Sequence, residues 1–384
     1  MRPPTGGLRT LAARMRMSWK PLLLLLTSCS LAILLLEALC RLTLPSSRFW
    51  FPQGTYVSDP IVKYRLATNF NGEVRTPFFH YHLRTSSQGF RGQEFEPRRD
   101  KRVVAVFGDS FAFGQGVEEA DSFAGILAKD LVAFDYTVIN AGVYGYETAQ
   151  EYHTYVRVTS QYRPYIVLLQ VCWNDVVDQL EPIRRGVYKG YLNANPPTTR
   201  WGELKNTLLL SSELVDQVYL LTYRFKAATL SVPDFLSPVY EQTKAREIES
   251  TEKILAAWIR EAAVRKQQFV VFYAPHEWQV NPSRPELRRW QARGERIDRD
   301  AAHRWLVRLL KRHPAVVYVD VVEAFREHYR NGGASLYIAG DEHTNAEGHR
   351  LIAKAVEDAL RRSRFVLPPG RVREIERSDR AGVD

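Results

Sequence analysis

Cysteine is scarce in this sequence, which has three cysteines among 384 residues. Cys29 and Cys40 lie in an apolar stretch and Cys172 ends a predicted strand, so no pair is placed to predict a disulfide. The sequence also lacks the closely spaced Cys and His residues that are typical of a metal site. We therefore expect neither a disulfide framework nor a bound metal, and the shortage of cysteine leaves the cellular compartment open.

A dense basic patch is missing too, although the formal net charge is +10. Half of that excess precedes one apolar run, where five basic residues occur with no acidic residue among them: Arg2, Arg9, Arg14, Arg16 and Lys20. The other basic residues are spread along the chain without interleaved aromatic clusters. We therefore expect no nucleic-acid binding, and we interpret residues 1–20 as a basic cytoplasmic segment.

The apolar run covers residues 21–40, and Glu37 is its only charged residue. Twenty helical residues span about 30 Å, the thickness of the hydrocarbon core of a bilayer. This length predicts a membrane anchor, with the rest of the chain exported. The alternative is a bacterial lipobox at residues 26–29, which would lead to cleavage before Cys29. The run continues well past Cys29, which favours the uncleaved anchor.

Apolar strands and amphipathic helices alternate from about residue 101, after an irregular juxtamembrane segment with short strands at 41–100. The predicted strands are 102–107, 136–140, 165–171, 269–273 and 315–319, and the predicted helices are 122–134, 147–160, 248–266, 297–312 and 346–362. Strands that are apolar on both faces and separated by helices predict a parallel sheet covered by helices.

Two stretches depart from this alternation. Residues 178–242 interrupt it, contain a predicted helix near 204–227, and are interpreted as an insertion that caps the functional site. Residues 363–384 are charged and without periodicity, which is typical of a solvated tail. The predicted domain at 101–362 therefore carries one insertion and is followed by a tail.

Gly108-Asp109-Ser110 directly follows the first predicted strand. Ligands bind outside the carboxyl ends of the strands in an open α/β sheet, so Ser110 is a candidate nucleophile. A helix N-cap explains the same residues, since Ser and Asp are preferred there. Both interpretations hold together, because a helix N-terminus places backbone N–H groups beside an anion.

Three further candidate catalytic residues lie at the ends of later predicted strands or just before the last predicted helix. Gly145 comes after the second strand, where a backbone N–H can bind an oxyanion, although an ordinary turn explains it equally well. Asn174 follows the third strand, where its amide can donate to the same oxyanion or simply cap a helix. His343 precedes the last helix beside Asp341, as an oriented general base would. Their order at successive strand ends favours one catalytic site over four separate turns.

Through these four motifs, around Ser110, Gly145, Asn174 and His343, the chain resembles the SGNH (GDSL-type) hydrolase family. The resemblance runs from Val103 to about residue 360. The segments SSQGFRG and GDSFAFGQGV further resemble its membrane-anchored bacterial branch, which has a periplasmic catalytic domain. The resemblance implies a flavodoxin-like three-layer α/β/α fold with a five-stranded parallel sheet. It also implies ester hydrolysis or acyl transfer without a metal or organic cofactor.

The same resemblance implies roles for individual residues. Ser110, His343 and Asp341 are the expected catalytic residues, and Ser110, Gly145 and Asn174 are expected to form the oxyanion hole.

Two positions depart from the family pattern. Cys172, two residues before Asn174, stands where the family motif around that asparagine usually has Gly. A small side chain is compatible with the close packing there. Gly340, three residues before His343, stands where the family motif around the histidine usually has Asp. We therefore assign the orienting carboxylate to Asp341, with Glu342 as the alternative. If neither reaches the imidazole, the site is a Ser–His dyad.

These residues and the predicted anchor lead us to expect a serine esterase at the outer face of a bacterial inner membrane. Its expected substrates are acylated, above all O-acetylated, exported or cell-wall glycans, or small esters. Trp173 and Trp278 can stack on sugar rings, although core packing explains them as well. His276 lies near the same edge and is a rival general base.

Three other functions remain open. An O-acyltransferase would use the same residues and would need a membrane partner that donates the acyl group. A lipase or thioesterase is compatible with a site near lipid. A protein of a different class, a non-catalytic glycan-binding or assembly protein, would retain only the fold.

Overall fold

The computed structural model describes residues 19–44, 51–95, 101–177, 179, 183–218, 221 and 231–365. Most of the predicted basic segment and of the predicted tail lies outside the described residues. So do residues 178, 180–182, 219–220 and 222–230 of the predicted insertion.

The strands are β1 (Tyr56–Asp59), β2 (Lys63–Leu66), β3 (Asn71–Arg75), β4 (His80–Arg84), β5 (Arg102–Phe107), β6 (Tyr136–Asn140), β7 (Ile166–Val171), β8 (Gly186–Tyr188), β9 (Tyr191–Asn193), β10 (Gln268–Tyr273) and β11 (Val317–Val319). The helices are α1 (Trp19–Thr43), α2 (Ser110–Phe113), α3 (Phe123–Asp130), α4 (Thr148–Tyr162), α5 (Arg200–Ser211), α6 (Tyr240–Thr243), α7 (Ala245–Val264), α8 (Glu277–Val280), α9 (Pro285–Ala292), α10 (Ala301–Lys311), α11 (Val321–Arg330) and α12 (Ala346–Arg362).

The five core strands form one parallel sheet in the order β11-β10-β7-β5-β6. Ala105 in the middle of β5 pairs with Ile139 on one side and Val167 on the other. Numbered along the chain, the order is 2-1-3-4-5, so the direction of winding reverses between β5 and β7. This reversal opens a crevice at the carboxyl ends of these two strands, where doubly wound proteins bind ligands.

Helices cover both faces of the sheet. Phe269 and Phe272 are three residues apart on β10, so their side chains point to opposite faces. The ring of Phe269 packs edge-on against Trp258 of α7, and the ring of Phe272 packs against Phe123 of α3. The flavodoxin-like three-layer α/β/α fold expected from the sequence is confirmed.

Several element boundaries differ from the sequence-based expectations. The predicted helix at 297–312 is confined to α10, and the predicted strand at 315–319 is confined to β11. The periodicity does not predict α9 or α11, because helices of eight and ten residues repeat their apolar spacing only two or three times. In the insertion, α5 ends at Ser211 and extended backbone at Ser212 separates it from helical residues 213–218.

Helix α1 runs from Trp19 to Thr43, longer at both ends than the predicted span of 21–40. It is long and apolar enough to cross a membrane, a property that membrane anchors and signal peptides share. Its leucines are exposed, and Cys40 is its one buried residue among those described.

Residues 51–95 form two antiparallel hairpins, β1–β2 and β3–β4, which we call the N-terminal module. The module has an aromatic core of its own that includes Tyr56, Tyr64 and Tyr81. Phe113, the last residue of α2, and Tyr146, in the loop after β6, belong to the same cluster. The segment expected to be irregular is therefore packed on the loops at the carboxyl edge of the sheet.

Arg91 joins the N-terminal module to the loop after α2. The residue is 4% exposed, and its guanidinium donates to the carbonyl of Phe113 at 2.6 Å and to that of Val117 at 2.6 Å. It also lies over the rings of Tyr81 and Phe113, 4.9 and 4.7 Å from their centroids. A buried guanidinium with carbonyl and aromatic partners holds these two parts of the chain together.

Replacing Arg91 by Met should destabilise the protein strongly. The substitution leaves buried carbonyl oxygens without a donor, and we expect the free energy of unfolding to fall by about 3 kcal/mol. Thermal unfolding of the full chain in detergent measures the change.

Arg75→Met is the matched control, because Arg75 is exposed and pairs with the exposed Glu73. Its loss should change the free energy of unfolding by less than about 1 kcal/mol. Equal effects of the two substitutions would show that Arg91 does not tie the N-terminal module to the loop.

Candidate active site

The turn after β5 depends on Gly108 and on a buried glutamine. Gly108 has φ of +146°, and an added Cβ would lie 2.4 Å from the side-chain oxygen of Gln170. That oxygen accepts hydrogen bonds from the backbone N–H groups of Asp109 and Ala112, both at 3.1 Å. Only glycine fits this turn, which delivers Ser110 as the first residue of α2.

The backbone N–H of Ser110 has no acceptor among the residues that the structure describes. The N–H of Asp109 and that of Ala112 bond to Gln170, that of Phe111 bonds to the Asp109 carboxylate, and that of Phe113 bonds to the Asp109 carbonyl. Among residues 109–113, all within the described part of the chain, the Ser110 N–H is thus the amide that remains available. A free N–H at a helix start is suited to binding an anion.

Ser110, His343 and Asp341 form one hydrogen-bonded chain. His343 Nε2 lies 2.8 Å from Ser110 Oγ, and its Nδ1 lies 2.5 Å from Asp341 Oδ1. The side chains of His343 and Asp341 are each 3% exposed, and Ser110 is 5% exposed. A hydroxyl, an imidazole and a carboxylate in this order form the arrangement that activates a serine.

A tight turn explains how a carboxylate two residues before His343 reaches its ring. The N–H of Ile338 donates to the carbonyl of His343 at 2.9 Å, and Asp341 also accepts from the His343 N–H at 2.9 Å. Gly340 lies in the left-handed region with φ of +81°, and a Cβ there would lie 2.8 Å from the ring of Phe78. An aspartate at position 340 would therefore be strained, and Asp341 takes the place beside the imidazole.

The electrostatics of this pair follow from its geometry. Burial alone would lower the pKa of His343, but the hydrogen bond and the charge of Asp341 raise that pKa above the usual histidine value. Burial would likewise raise the pKa of Asp341, and the contact with His343 lowers it below the usual range instead. Glu342, the alternative carboxylate, is exposed and lines the cleft in front of the site.

Asn174 is oriented by two neighbours from the adjacent strand ends. Its Nδ2 donates to the Asp109 carboxylate at 2.9 Å, and its Oδ1 accepts from the thiol of Cys172 at 2.8 Å. Burial raises the pKa of that thiol, so it remains a protonated donor. One amide hydrogen of Asn174 is engaged by Asp109, and a primary amide carries a second one. Cys172 thus fills the usual glycine position and also fixes the orientation of Asn174.

Gly145 is held by two residues that sequence analysis does not identify. Its carbonyl accepts from the Tyr64 hydroxyl at 2.8 Å and from the Arg185 guanidinium at 2.6 Å. Gly145 has φ of +69°, and a Cβ there would lie 2.1 Å from Arg185. Tyr64 belongs to the N-terminal module and Arg185 to the insertion. No local motif marks either residue, because they meet Gly145 only in the folded chain.

A cleft of about 1580 Å³ opens in front of these residues. One wall is aromatic and consists of Trp173, Phe235, His276 and Trp278. The rings of Trp173 and Phe235 stack with centroids 4.8 Å apart, and those of His276 and Trp278 are 4.3 Å apart. Residues 76–78 of the N-terminal module also line the cleft. The cleft is thus large, aromatic on one side, and assembled from three parts of the chain.

His276, the rival general base, lies in this wall. The imidazole that contacts Ser110 Oγ belongs to His343 and not to His276. Burial lowers the pKa of His276 to about 3, so its ring is neutral, and its Nδ1 accepts from the Trp278 N–H at 3.2 Å. The proton of a neutral ring with an accepting Nδ1 is on Nε2. His276 is therefore a hydrogen-bond donor in the cleft wall.

Other buried carboxyl groups lie behind the site. Glu151 and Asp175 are almost fully buried, and burial raises the pKa of both carboxyl groups. The charge of Asp175 raises the pKa of Glu151 further, and the charge of Asp109 does the same for Asp175. Asp175 accepts from the N–H of Cys172 at 2.7 Å. In the described part of the chain, no group of three or more His, Cys, Asp or Glu residues is placed to hold a metal ion.

Comparison with known proteins gives one family. The model of the GDSL-like Lipase/Acylhydrolase family matches residues 106–351, which include all the residues of the hydrogen-bonded chain. A search of the curated proteins found no match.

Solved structures with a similar fold include three with low sequence identity. An α/β hydrolase enzyme from the metagenome of Lake Arreo, Spain, is 17% identical, with coverage of 67% of this chain and 94% of that chain and a TM-score of 0.40. An acetyl xylan esterase, AlAXEase, is 14% identical, with coverage of 67% and 99% and a TM-score of 0.39. A mutant of the acetylxylan esterase Axe2 from Geobacillus stearothermophilus is 13% identical, with coverage of 69% and 96% and a TM-score of 0.38. These values are too low to support a conclusion about substrate.

Replacing Asp341 by Asn should lower the pKa of His343. The carboxylate stabilises the imidazolium, so its removal makes protonation of the ring less favourable and moves the titration to lower pH. Histidine-selective ¹⁵N labelling and NMR titration of the full chain in detergent measure the pKa directly.

Glu342→Gln is the matched control, because it removes a charge one residue away at the exposed position. The titration of His343 should move less than in Asp341→Asn. If Glu342→Gln produces the larger shift, Glu342 and not Asp341 is the carboxylate paired with the ring.

Proposed function

The chain belongs to the GDSL-like lipase/acylhydrolase family, and we propose that it is a serine esterase that forms an acyl-enzyme at Ser110. The hydrogen-bonded chain from Asp341 through His343 to Ser110 carries this proposal. Its preferred substrates are acyl esters, above all O-acetyl esters, of exported or cell-wall glycans.

The reaction has two steps. His343 Nε2 takes the proton of Ser110 as Oγ attacks the ester carbonyl, and the same nitrogen then protonates the leaving alcohol. Water attacks the acyl-enzyme in the second step and gives its proton to His343, which returns the proton to Ser110 as the carboxylic acid leaves. Asp341 holds the imidazole and stabilises its charged form. His343 acts only when neutral, so activity falls as the pH falls through its raised pKa.

Three donors hold the oxyanion of the tetrahedral intermediates. They are the available N–H of Ser110, the N–H of Gly145 and the second amide hydrogen of Asn174. Each such donor contributes about 3 kcal/mol to stabilising a transition state. The contacts of Tyr64 and Arg185 on the Gly145 carbonyl support this assignment, because they fix the peptide plane that follows the proposed donor.

The cleft supports a glycan as the substrate. Its volume of about 1580 Å³ exceeds the roughly 300–1,000 Å³ of a typical small-molecule pocket. An acetyl group fills only a small part of this space, which leaves room for several sugar units. Trp173 and Trp278 present rings on which sugars can stack, and the His276 Nε2–H can donate to a sugar or ester oxygen. A fully closed acyl pocket would favour a lipase instead.

Helix α1 supports a location at the outer face of a bacterial inner membrane. The helix continues without a break through Cys29, and the side chain of Thr27 bonds to the carbonyl of Leu23 inside it. Continuity supports an uncleaved anchor over lipobox cleavage. Basic residues before the helix stay in the cytoplasm by the positive-inside rule, so the catalytic domain is exported.

Replacing Ser110 by Ala tests the nucleophile. The variant should not be labelled by a fluorophosphonate probe, and its hydrolysis of p-nitrophenyl acetate should fall by about 10³-fold or more. Ser283→Ala is the matched control, because Ser283 also lines the cleft and is exposed.

The outcomes separate the alternative functions. Absence of labelling in the wild-type protein would refute the nucleophile and favour a non-catalytic protein that retains the fold. Labelling without release of acetate would favour an O-acyltransferase that needs an acceptor and a membrane acyl-donor partner. Faster hydrolysis of long-chain than of acetyl esters would favour a lipase or thioesterase.

Replacing Tyr64 by Phe tests the proposed oxyanion hole from a distance. The loss of its hydroxyl removes one of the two donors to the Gly145 carbonyl, and we expect kcat to fall about tenfold with little change in KM. Steady-state kinetics with p-nitrophenyl acetate measure both constants.

Tyr56→Phe is the matched control, because Tyr56 lies in the same aromatic cluster and its buried hydroxyl has no hydrogen-bond partner among the described residues. Its kinetics should be those of the wild type. Equal loss of kcat in both variants would point to a general change in the cluster and against positioning by Tyr64.

A further inference from the structure

Two short helices of the insertion leave a row of apolar side chains exposed. On α5, Trp201 is 78% exposed, and Leu204 and Leu208 are each 48% exposed. Spaced by three and four residues, these side chains share one face of the helix. In helical residues 213–218, Val215 is 36% and Val218 is 54% exposed. Several apolar side chains exposed on two successive helices are typical of an interaction site.

The last turns of α1 bind the junction between these two helices. The Glu37 carboxylate accepts from the Ser212 hydroxyl at 2.8 Å and from the backbone N–H groups of the next two residues, each at 2.9 Å. It thus caps the N-terminus of the second helix. Arg41 donates to the carbonyl of Ser211 at 2.5 Å and to Glu37 at 2.7 Å. Four hydrogen bonds therefore connect α1 to the insertion.

The position of Glu37 along α1 sets the depth of this junction in a bilayer. A helix of 25 residues is about 37 Å long, which exceeds the roughly 30 Å hydrocarbon core. Glu37 and Arg41 lie in its last two turns, where charged groups reach the headgroups. A charge at the centre of the bilayer would cost about 3 kcal/mol. The residues that bond Glu37 therefore lie at the level of the headgroups too.

We propose that the insertion binds the bilayer that α1 crosses. The exposed side chains of Trp201, Leu204, Leu208, Val215 and Val218 form what we call the interface surface. They insert at the boundary between headgroups and acyl chains, the depth that α1 sets for the neighbouring junction. This inference rests on the membrane anchor included in the proposed function.

The chemistry of α5 fits a lipid surface better than a protein partner. Tryptophan is enriched at the headgroup level of membranes because its ring is amphipathic. Arg200 and Lys205 are exposed on the same helix and can contact anionic lipids. A helix with a Trp and Leu face and flanking basic residues is typical of one that lies in the membrane plane.

Fluorescence in vesicles tests the interface surface. In the full chain, Cys29 and Cys40 are replaced by Ala, and Cys172 is kept because it is buried. Single cysteines are introduced as Leu204→Cys, Leu208→Cys or Glu203→Cys and labelled with the fluorophore NBD. The labelled proteins are reconstituted in vesicles of phosphatidylethanolamine and phosphatidylglycerol, with or without a nitroxide-labelled acyl chain.

Labels at 204 and 208 should emit at shorter wavelength than the label at 203, and lipid nitroxides should quench them roughly twofold more strongly. Glu203 is the matched control, because it is exposed on the same helix about 200° from Trp201. Equal, weak quenching at all three positions would overturn the proposal, since purified vesicles offer the surface no other partner.

A label introduced as Leu31→Cys distinguishes failure of the anchor from failure of the interface surface. Absence of quenching at 31 would show that α1 does not cross the bilayer and would overturn the proposal together with its premise. Quenching at 31 without quenching at 204 and 208 would overturn the interface surface alone. Hydrolysis of p-nitrophenyl acetate by the same vesicles reports separately on the esterase, because none of the labelled positions belongs to the catalytic machinery.

Discussion

The contact between His343 Nε2 and Ser110 Oγ joins residues 233 positions apart, and much of the architecture serves to hold it. Ser110 can reach the imidazole only because β5 ends at the point where the winding of the sheet reverses. Gly108 and Gln170 then turn the chain sharply at that edge. The turn before α12 brings His343 to the same place. A hydrogen bond of this length fails with a displacement of about 1 Å. Both turns are accordingly held by several hydrogen bonds, and the side chains of Ser110, Asp341 and His343 are buried.

The N-terminal module belongs functionally to the site. Arg91 bonds the loop after α2, Tyr64 bonds the loop after β6, and Phe78 packs beside Gly340. Each contact stabilises a different loop of the active site from outside the sheet. A segment that lies between a membrane helix and a catalytic domain is often a spacer. Here it forms one side of the cleft, so the site cannot be separated from it.

The sequence predicts the sheet and the residues at its edge well, because both depend on local patterns. Buried parallel strands are continuous apolar runs, Ser110 and Asn174 each follow such a strand, and His343 precedes an amphipathic helix. The contacts that orient them are harder to predict. Tyr64 and Arg185 meet Gly145 only after folding, and the role of Cys172 depends on the side chain of Asn174. The backbone strain that explains Gly340 is visible only once Phe78 is in place.

The insertion connects the cleft with the end of α1. The residues just before the insertion, Val176 and Val177, and those near its end, around Phe235, line the cleft, while its middle contacts the end of α1. A displacement of the insertion is therefore expected to reach the aromatic wall through Phe235 and, through Arg185, the peptide that follows the Gly145 N–H. Under the proposed function, this coupling favours esters carried on glycans close to the membrane surface.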